Sequence, residues 1–533
     1  MLPSPSSSPR YVLEDRLNFD VTLPKKPKHQ LLTPPKEGSR KRPAKVHVEE
    51  TNRKKVKICE TVGKDEENSE EEDSRLFEEG DEDEPRPLPS RARRRTVFHA
   101  QTMIASLAHA QRGRDISTRP ILQSFVSCLK SDLHTCQSLN TNAFLTPPYA
   151  CAYSHMARSG GLPLLAVATE EGTVQIINAS RRKPWDPEPS RNVLQPHHNG
   201  IFDVKWDDSD THVVTCSGDH TSRITCVERN LTTSILHGHT STVKTASWDP
   251  THSSLLATGG RDGAICLWDR RVSTSFAEGV GVTRPVIVIS DAHEDPTGPK
   301  VRKSKKHVPM PKTVTGLIFP ESEPFGLVSS GAYDGLLRFW DLRTPATPRK
   351  SRSTKPKPPP GLYSTPIDPT TLNGSKRSRG IISLAQGTGP SAGLVFGLGQ
   401  DSRIHTYALP TLTAQPTDFH DESMHATSFY VKLSLSPCGN WLACGASNPK
   451  SSCFLFEVKA AGRLDGSTGI QRAVELHGQK GEVGAVDWAG GSLATCADDG
   501  TVRVWRPDIE TYFRCIEDPN KAQWDWCWSK QVC

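Results

Sequence analysis

The stretch His237-Gly238-His239-Thr240-Ser241-Thr242-Val243-Lys244-Thr245-Ala246-Ser247-Trp248-Asp249-Pro250, continued as Leu255-Leu256-Ala257-Thr258-Gly259-Gly260-Arg261-Asp262-Gly263-Ala264-Ile265-Cys266-Leu267-Trp268-Asp269-Arg270-Arg271, decides the fold. The alternation from Thr242 to Trp248 reads as one strand, Leu255 to Thr258 as a second and Ala264 to Trp268 as a third, with Asp262-Gly263 as the tight turn between the last two. His239, Thr258, Asp262 and Trp268 carry the donors and acceptors for a single hydrogen-bonded relay, which would satisfy polar groups that burial otherwise strands. A unit this small cannot bury both of its faces, so similar units must flank it.

They do. The pattern returns as His477-Gly478, Leu493-Ala494-Thr495, Asp499-Gly500 and Val502 to Trp505, with His477, Thr495, Asp499 and Trp505 expected to form a matching relay. Weaker copies read as Leu164 to Ile177 around Glu171-Gly172, Phe202 to Val227 around Gly218-Asp219, Val314 to Trp340 around Asp334-Gly335, Leu394 to Tyr407 around Asp401, and Tyr430 to Val458. These make seven repeats, and the spacing fits the roughly 40 to 45 residues of a WD repeat. The expectation is an all-β chain: a seven-bladed WD-repeat β-propeller with a disordered N-terminal tail and a short helical segment before the propeller. The propeller should run over 121–508, with basic insertions at 296–312 and 344–379, and a tail over 509–533.

Among 533 residues the apolar content is 35%, with 42 Pro and 39 Gly. One propeller uses roughly 350 residues, and that composition suits turn-rich blades plus unfolded segments. No apolar run is long enough to span a bilayer and the start lacks a signal-peptide core, so a soluble intracellular protein without membrane contact is expected. The fourteen cysteines are scattered without a C-x-x-C pair and, like the nineteen His, mark no metal motif; neither cofactor nor metal is expected.

Residues 1–92 place a basic block before an acidic one and cannot bury enough apolar surface to fold. Lys41-Arg42 with Lys45, and Arg53-Lys54-Lys55 with Lys57, have the spacing of a bipartite nuclear import signal, so a nuclear protein is expected. The segment 93–120 holds an amphipathic helix from Thr96 to Gln111, with Val97, Ala100, Ile104 and Leu107 on one stripe. That stripe packs either on the propeller or on another protein. The stretch from Ile121 to Leu129 is expected to supply the outer strand that closes the ring. The insertion 296–312 carries Lys300, Arg302, Lys303, Lys305, Lys306 and Lys312, and the second is similar. On neighbouring connections the two would form a positive patch for non-specific DNA contact or an acidic protein; the plainer reading is two solvated loops.

Two successive repeats end alike, as Trp268-Asp269-Arg270-Arg271 and Trp340-Asp341-Leu342-Arg343. This W-D-x-R form resembles substrate receptors docked on the damage-binding adaptor of cullin-four RING ubiquitin ligases, which implies adaptor contact by Trp268, Asp269, Arg271, Trp340, Asp341 and Arg343, joined by Ile104 and Leu107 of the helix. From about Pro147 to Trp505 the chain resembles the denticleless family. The resemblance rests on Pro147-Pro148-Tyr149-Ala150-Cys151, Leu165 to Gly172, Ile201-Phe202-Asp203-Val204, Ser428-Phe429-Tyr430-Val431-Lys432-Leu433-Ser434-Leu435-Ser436-Pro437, and the lysine-rich loop after the third repeat. It implies a receptor that recognises sliding-clamp-bound replication and cell-cycle proteins, including in the response to DNA damage, and presents them for polyubiquitination and proteasomal destruction. It also implies a basic degron, for which Glu170, Glu171, Asp219, Arg261 and Tyr333 on the turn-bearing face are the candidate substrate contacts. No phosphate-cradling loop or nucleophile elbow is present, so a non-catalytic role is expected. A chromatin or RNA-processing scaffold of the same fold is the alternative.

Overall fold

The computed structural model describes residues 117–139, 144–183, 185–272, 275–277, 280–294, 312–343, 361–372, 375, 377–447, 452–462, 472–518 and 527–528. The acidic and basic N-terminal blocks, Ile104, Leu107 and most of both basic insertions lie outside these residues.

Alternating side chains make each repeat an antiparallel sheet, and seven sheets follow one another along the chain. Blade one comprises Pro148–Tyr153, Leu164–Thr169, Val174–Asn178 and Asn192–Leu194. Blade two runs Ile201–Trp206, His212–Ser217, Thr221–Cys226 and Leu231–His237, and blade three Val243–Trp248, Leu255–Gly260, Ile265–Asp269 and Ile287–Ile289. Blade four has Val314–Ile318, Gly326–Gly331, Arg338–Asp341 and Gly361–Ser364; blade five has Ile381–Gln386, Leu394–Gly399, Ile404–Ala408 and Thr413–Phe419. Blade six is Leu433–Leu435, Trp441–Cys444, Ser452–Glu457 and Val474–His477, and blade seven begins with Val483–Trp488, Leu493–Ala497 and Thr501–Pro507. The first strand of each blade lies against the first strand of the next, and blade seven returns to blade one.

The core sits between blades. Leu165, Val167 and Ile177 of blade one pack on Ala494, Cys496, Val502 and Val504 of blade seven, all buried. Burying such side chains contributes roughly 1.5–3 kcal/mol each, which holds the ring shut. Polar ties supplement this at the closure. The buried Asp487 carboxylate accepts from Tyr153 N at 2.7 Å, Ser434 Oγ at 2.7 Å and Arg158 Nη2 at 3.0 Å, linking blades six, seven and one.

The fourth strand of blade seven comes from the start of the domain. Phe125–Ser127 pairs with Pro507 and Arg506, and Leu133–Thr135 continues along Arg503 to Thr501. Phe125 stands edge-on to Trp488 at 5.6 Å and Trp441 at 6.2 Å. The closing strand is shorter than the expected Ile121 to Leu129, because Arg119–Gln123 forms a helical turn. Proline fits the first turn of a helix, where its missing N–H has no partner to lose, and Pro120 stands there.

In blade three His239 Nδ1 lies 3.1 Å from Asp262, its Nε2 lies 2.8 Å from Thr258 Oγ1, and Trp268 Nε1 donates to the same hydroxyl at 2.8 Å. Blade two repeats most of this with His197, Asp219 and Thr215. Blade seven departs at two expected members, for Asp499 receives Lys480 N and Thr501 rather than the relay residue. Gln479, not His477, stands where His239 stands: Thr495 Oγ1 donates to Gln479 Oε1 at 2.5 Å and receives Trp505 Nε1 at 2.8 Å. His477 belongs to the outer strand of blade six, 3.3 Å from Glu475. In blade four His293 reaches Ser329 at 3.0 Å, but its Nδ1 is 3.9 Å from Asp334, too far for a hydrogen bond. The turns that carry these aspartates need a left-handed residue, and Gly263 (φ 74°) and Gly500 (φ 76°) supply it.

Three further boundaries differ from expectation. The fourth strand of blade four, Gly361–Ser364, falls inside the supposed insertion 344–379 and splits it. Ser275–Ala277 and Val280–Thr283 form a hairpin whose second strand pairs in parallel with Leu231–His237, extending blade two to six strands. Beyond the propeller, Asp508 caps a helix over Ile509–Glu517, and Cys527–Trp528 pairs with the free edge of Phe125–Ser127, so both belong to blade seven rather than to a separate tail.

Candidate docking faces of the propeller

Antiparallel strand order places the connections from first to second and third to fourth strands on one face, and the second-to-third turns and blade-to-blade links on the other.

On the first face, the third strands of blades three and four end in the same structure. Arg271 Nε donates to Asp269 Oδ1 at 2.9 Å and Nη2 to Oδ2 at 2.8 Å; Arg343 repeats this on Asp341 at 3.1 and 3.4 Å. Each backbone N–H also bonds the same carboxylate, at 2.9 and 3.0 Å. The side chains remain 70% and 58% exposed, so two oriented guanidinium groups project from adjacent blades. Arg271 holds the Asp269 carboxyl below the usual carboxylate range. Trp268 and Trp340 are buried, their indole N–H groups bonded to Thr258 and Ser329, which corrects their expected role: they fix the strand beneath each fork and offer no surface to a partner.

Sequence reading missed Phe325 and His252 on this face. Their rings meet at a tilt, centroids 4.6 Å apart, and Phe325 is 37% exposed in the left-handed region (φ 65°), where a bulky side chain costs about 1–2 kcal/mol. Leu342 N donates to Phe325 O at 2.9 Å, which puts the aromatic pair beside the Asp341–Arg343 fork. No short-range sequence signal marks it, because the pairing crosses from the first connection of blade three to that of blade four. The chain also enters the propeller on this face. Thr118 N and Oγ1 donate to Glu457 at 3.0 and 2.9 Å, and Trp441 Nε1 donates to Thr118 Oγ1 at 2.9 Å.

On the second face, the five candidate substrate residues divide. Glu170, Arg261 and Tyr333 are exposed. Glu171 is engaged, receiving Ser138 Oγ and, at 2.9 Å, Leu139 N, and it ties the segment after the closing strand to blade one. Asp219 belongs to the blade-two relay; burial pushes its carboxyl up, but the bonds from His197 and Thr221 together outweigh burial and hold it at about 2. The structure thus leaves the candidates spread over four blades without bringing them together.

It brings together another set. Tyr149, Phe202 and Tyr430 cluster at the mouth of the central channel, with centroids 4.8 to 5.9 Å apart and Phe202 stacked on both tyrosines, and Phe429 lies tilted against Tyr430 at 4.5 Å. The Lys244 ammonium lies 3.5 Å from the Phe202 ring centre and 4.3 Å from that of Phe429. Burial, with Lys432 and Arg261 nearby, pulls its pKa down to about 7. These residues come from blades one, two, three and six, and only closure of the ring assembles them.

The basic insertions lie largely outside the described residues, and the structure gives only where they are anchored. The first leaves at Glu294 and returns at Lys312, between the fourth strand of blade three and the first of blade four, on the channel-mouth face. The second leaves at Arg343 on the opposite face, and its part after Ser364, with Arg377 and Arg379, runs on the channel-mouth face.

This architecture defines the class: the chain is a seven-bladed WD-repeat propeller, and 189–225, 230–269 and 471–506 match the family described as WD domain, G-beta repeat. More particularly, it is a homologue of the proteins named Denticleless and Cdt2. It is 30% identical over 403 residues to the human Denticleless protein homolog, covering 72% of this chain and 50% of that protein. Against the Xenopus laevis Denticleless protein homolog A it is 29% identical, covering 75% and 53%. The Schizosaccharomyces pombe Cell division cycle protein cdt2 is 26% identical over 81% of this chain and 87% of its own length. The chain spans about half the length of the vertebrate relatives.

Proposed function

We propose that this chain is the substrate-recognition subunit of a cullin-four RING E3 ubiquitin ligase. It docks on the damage-binding adaptor through the face that carries Arg271 and Arg343, and presents sliding-clamp-bound replication and cell-cycle proteins from the opposite face for polyubiquitination and proteasomal degradation. The observation that carries this reading is the repeated fork: the same bidentate Asp–Arg geometry, exposed on adjacent blades, beside a strained exposed aromatic residue. Guanidinium groups locked by their own aspartates bind a partner with little loss of side-chain freedom, and Arg and aromatic side chains are the anchors that protein interfaces favour. The segment bearing Ile104 and Leu107, which lies outside the described residues, precedes Ser117 and Thr118, whose bonds to Glu457 bring the chain in on the same face, in keeping with a joint contact by that segment and the forks. The relatives' names, one of them a cell division cycle protein, support the same setting. Catalysis belongs to the cullin-bound module, and the protein acts by proximity in the nucleus. The basic insertion 296–312 leaves the propeller on the substrate face, where contact with DNA encircled by the clamp would favour loaded substrate. The test is reconstituted ubiquitination of a clamp-bound substrate with purified adaptor and cullin module. The reading requires adaptor co-purification and chain-dependent polyubiquitination stimulated by DNA-loaded clamp; a propeller that binds no adaptor contradicts it.

A further inference from the structure

The central channel holds a cavity of about 80 Å³, lined by residues from the inner strand of every blade. A buried water needs roughly 10–15 Å³ of such space, so a tetrahedral oxyanion fits here as well as water does. Two ammonium groups, Lys205 and Lys432, and two carboxylates, Asp203 and Asp487, line it. Asp487 is fully engaged: Arg158 Nη2 lies 3.0 Å from both of its oxygens, and Tyr153 N and Ser434 Oγ donate to it as well. Asp203 accepts from Val204 N at 3.1 Å and Ala246 N at 3.0 Å, with the Lys205 ammonium 3.7 Å away. Lys432, which ends the run Phe429-Tyr430-Val431-Lys432, is left over; among the described residues its ammonium is in no ion pair or hydrogen bond. Its surface opens partly onto the channel, yet the ring encloses it, and burial pulls its pKa below the ordinary lysine range, Asp203 opposing this and Lys205 adding to it.

Three cations, Arg158, Lys205 and Lys432, thus face two carboxylates, which leaves one positive charge inside the ring. A charge held away from water without a counter-ion is destabilising. The approach has the same sign, because Lys244 at the mouth is close enough to Lys432 and Arg261 for both to lower its pKa. Ser383, which also lines the cavity, accepts from Leu433 N at 3.0 Å and keeps its own hydrogen to give. We infer that the channel is a binding site for a small inorganic oxyanion of the phosphate or sulfate class, held by the ammonium groups of Lys432 and Lys205 and by the Ser383 hydroxyl. The occupant is the free ion rather than a phosphorylated side chain, because the cavity holds the tetrahedral group and little besides. It neutralises the leftover charge and braces blades two, five and six against one another. The inference rests on the ring alone and requires neither adaptor nor ligase.

Thermal melts of the full chain in potassium phosphate, against potassium chloride at matched ionic strength, test it. The wild type should melt higher in phosphate, the shift growing with the logarithm of phosphate concentration. Lys432→Met should weaken the apparent phosphate affinity about tenfold. In chloride it should melt no lower than the wild type, because it removes a charge that has no partner. Lys432→Arg keeps the charge and should keep the phosphate response, which a lysine serving only as packing would not predict. Lys205→Met, at a side chain 44% exposed, should weaken phosphate about threefold and keeps the test open should Lys432→Met fail to fold. Phosphate held by basic runs elsewhere in the chain responds to none of these substitutions, so the variants isolate the cavity. No phosphate-specific shift in the wild type overturns the inference, as does an equal shift in the wild type, Lys432→Met and Lys205→Met.

Discussion

Asp262 does more within its blade than Asp334 does within the next. It receives His239, Thr240 N at 2.8 Å and Ala264 N at 3.1 Å, so its loss strands the buried His239 and the half-buried Ala264 N–H at once. Asp334 fails to reach His293, and burial holds that imidazole neutral with a pKa of about 3. Asp262→Ala should therefore lower stability by about 2 kcal/mol and Asp334→Ala by distinctly less, as thermal melts of the two proteins will show. Lys244 gives a pH dependence whose sign follows from burial. Its folded pKa of about 7 lies below the ordinary 10.5, so between these values the unfolded chain binds the extra proton. Stability from this group therefore rises with pH across that window, and is lowest below about pH 7. The rings beneath it favour the charged form and oppose part of that trend. Lys244→Met should accordingly raise the melting temperature most at about pH 6 and hardly at all near pH 10; a difference independent of pH would show that the ammonium is not desolvated.

Closure of blade seven is where elements far apart in sequence must agree. The outer strand Phe125–Ser127 is wedged between Thr501–Pro507 and Cys527–Trp528, while Asp487 joins three blades through hydrogen bonds. Asp487 is 5% exposed, and removing its carboxylate leaves Tyr153 N and the Ser434 hydroxyl without their partner. Asp487→Ala should cost about 3 kcal/mol and broaden the melt as blades six, seven and one loosen; an unchanged transition would remove it from the closure. The blades themselves were legible because period-two alternation and Asp-Gly turns are local. So was the blade-three relay, whose four members lie within 30 residues. The blade-seven relay was misread because His477-Gly478-Gln479 repeats His237-Gly238-His239, and the functional position is the third of the triplet, not the first. Gly361–Ser364 escaped notice because four residues without alternation, flanked by Lys and Pro, carry no strand signature, and only pairing with Arg338–Asp341 makes them one.

At the scale of the molecule, a propeller separates two surfaces by the height of its strands. The repeated W-D-x-R sequences were readable, and the structure adds that each arginine is held by its own aspartate. The aromatic mouth was not: Tyr149, Phe202 and Tyr430 appeared as isolated marks of resemblance, and contacts between residues 53 to 281 positions apart exist only once the ring closes. This separation is what the proposed receptor needs, an adaptor on one face leaving the other free to hold a ligand. Adaptor affinity of Arg271→Ala combined with Arg343→Ala, measured by biolayer interferometry beside a thermal melt, tests the account most directly. Neither arginine belongs to a blade relay, so the melting temperature should stay at the wild-type value while affinity falls about a hundredfold. Wild-type affinity in the double variant would contradict the assignment of this face.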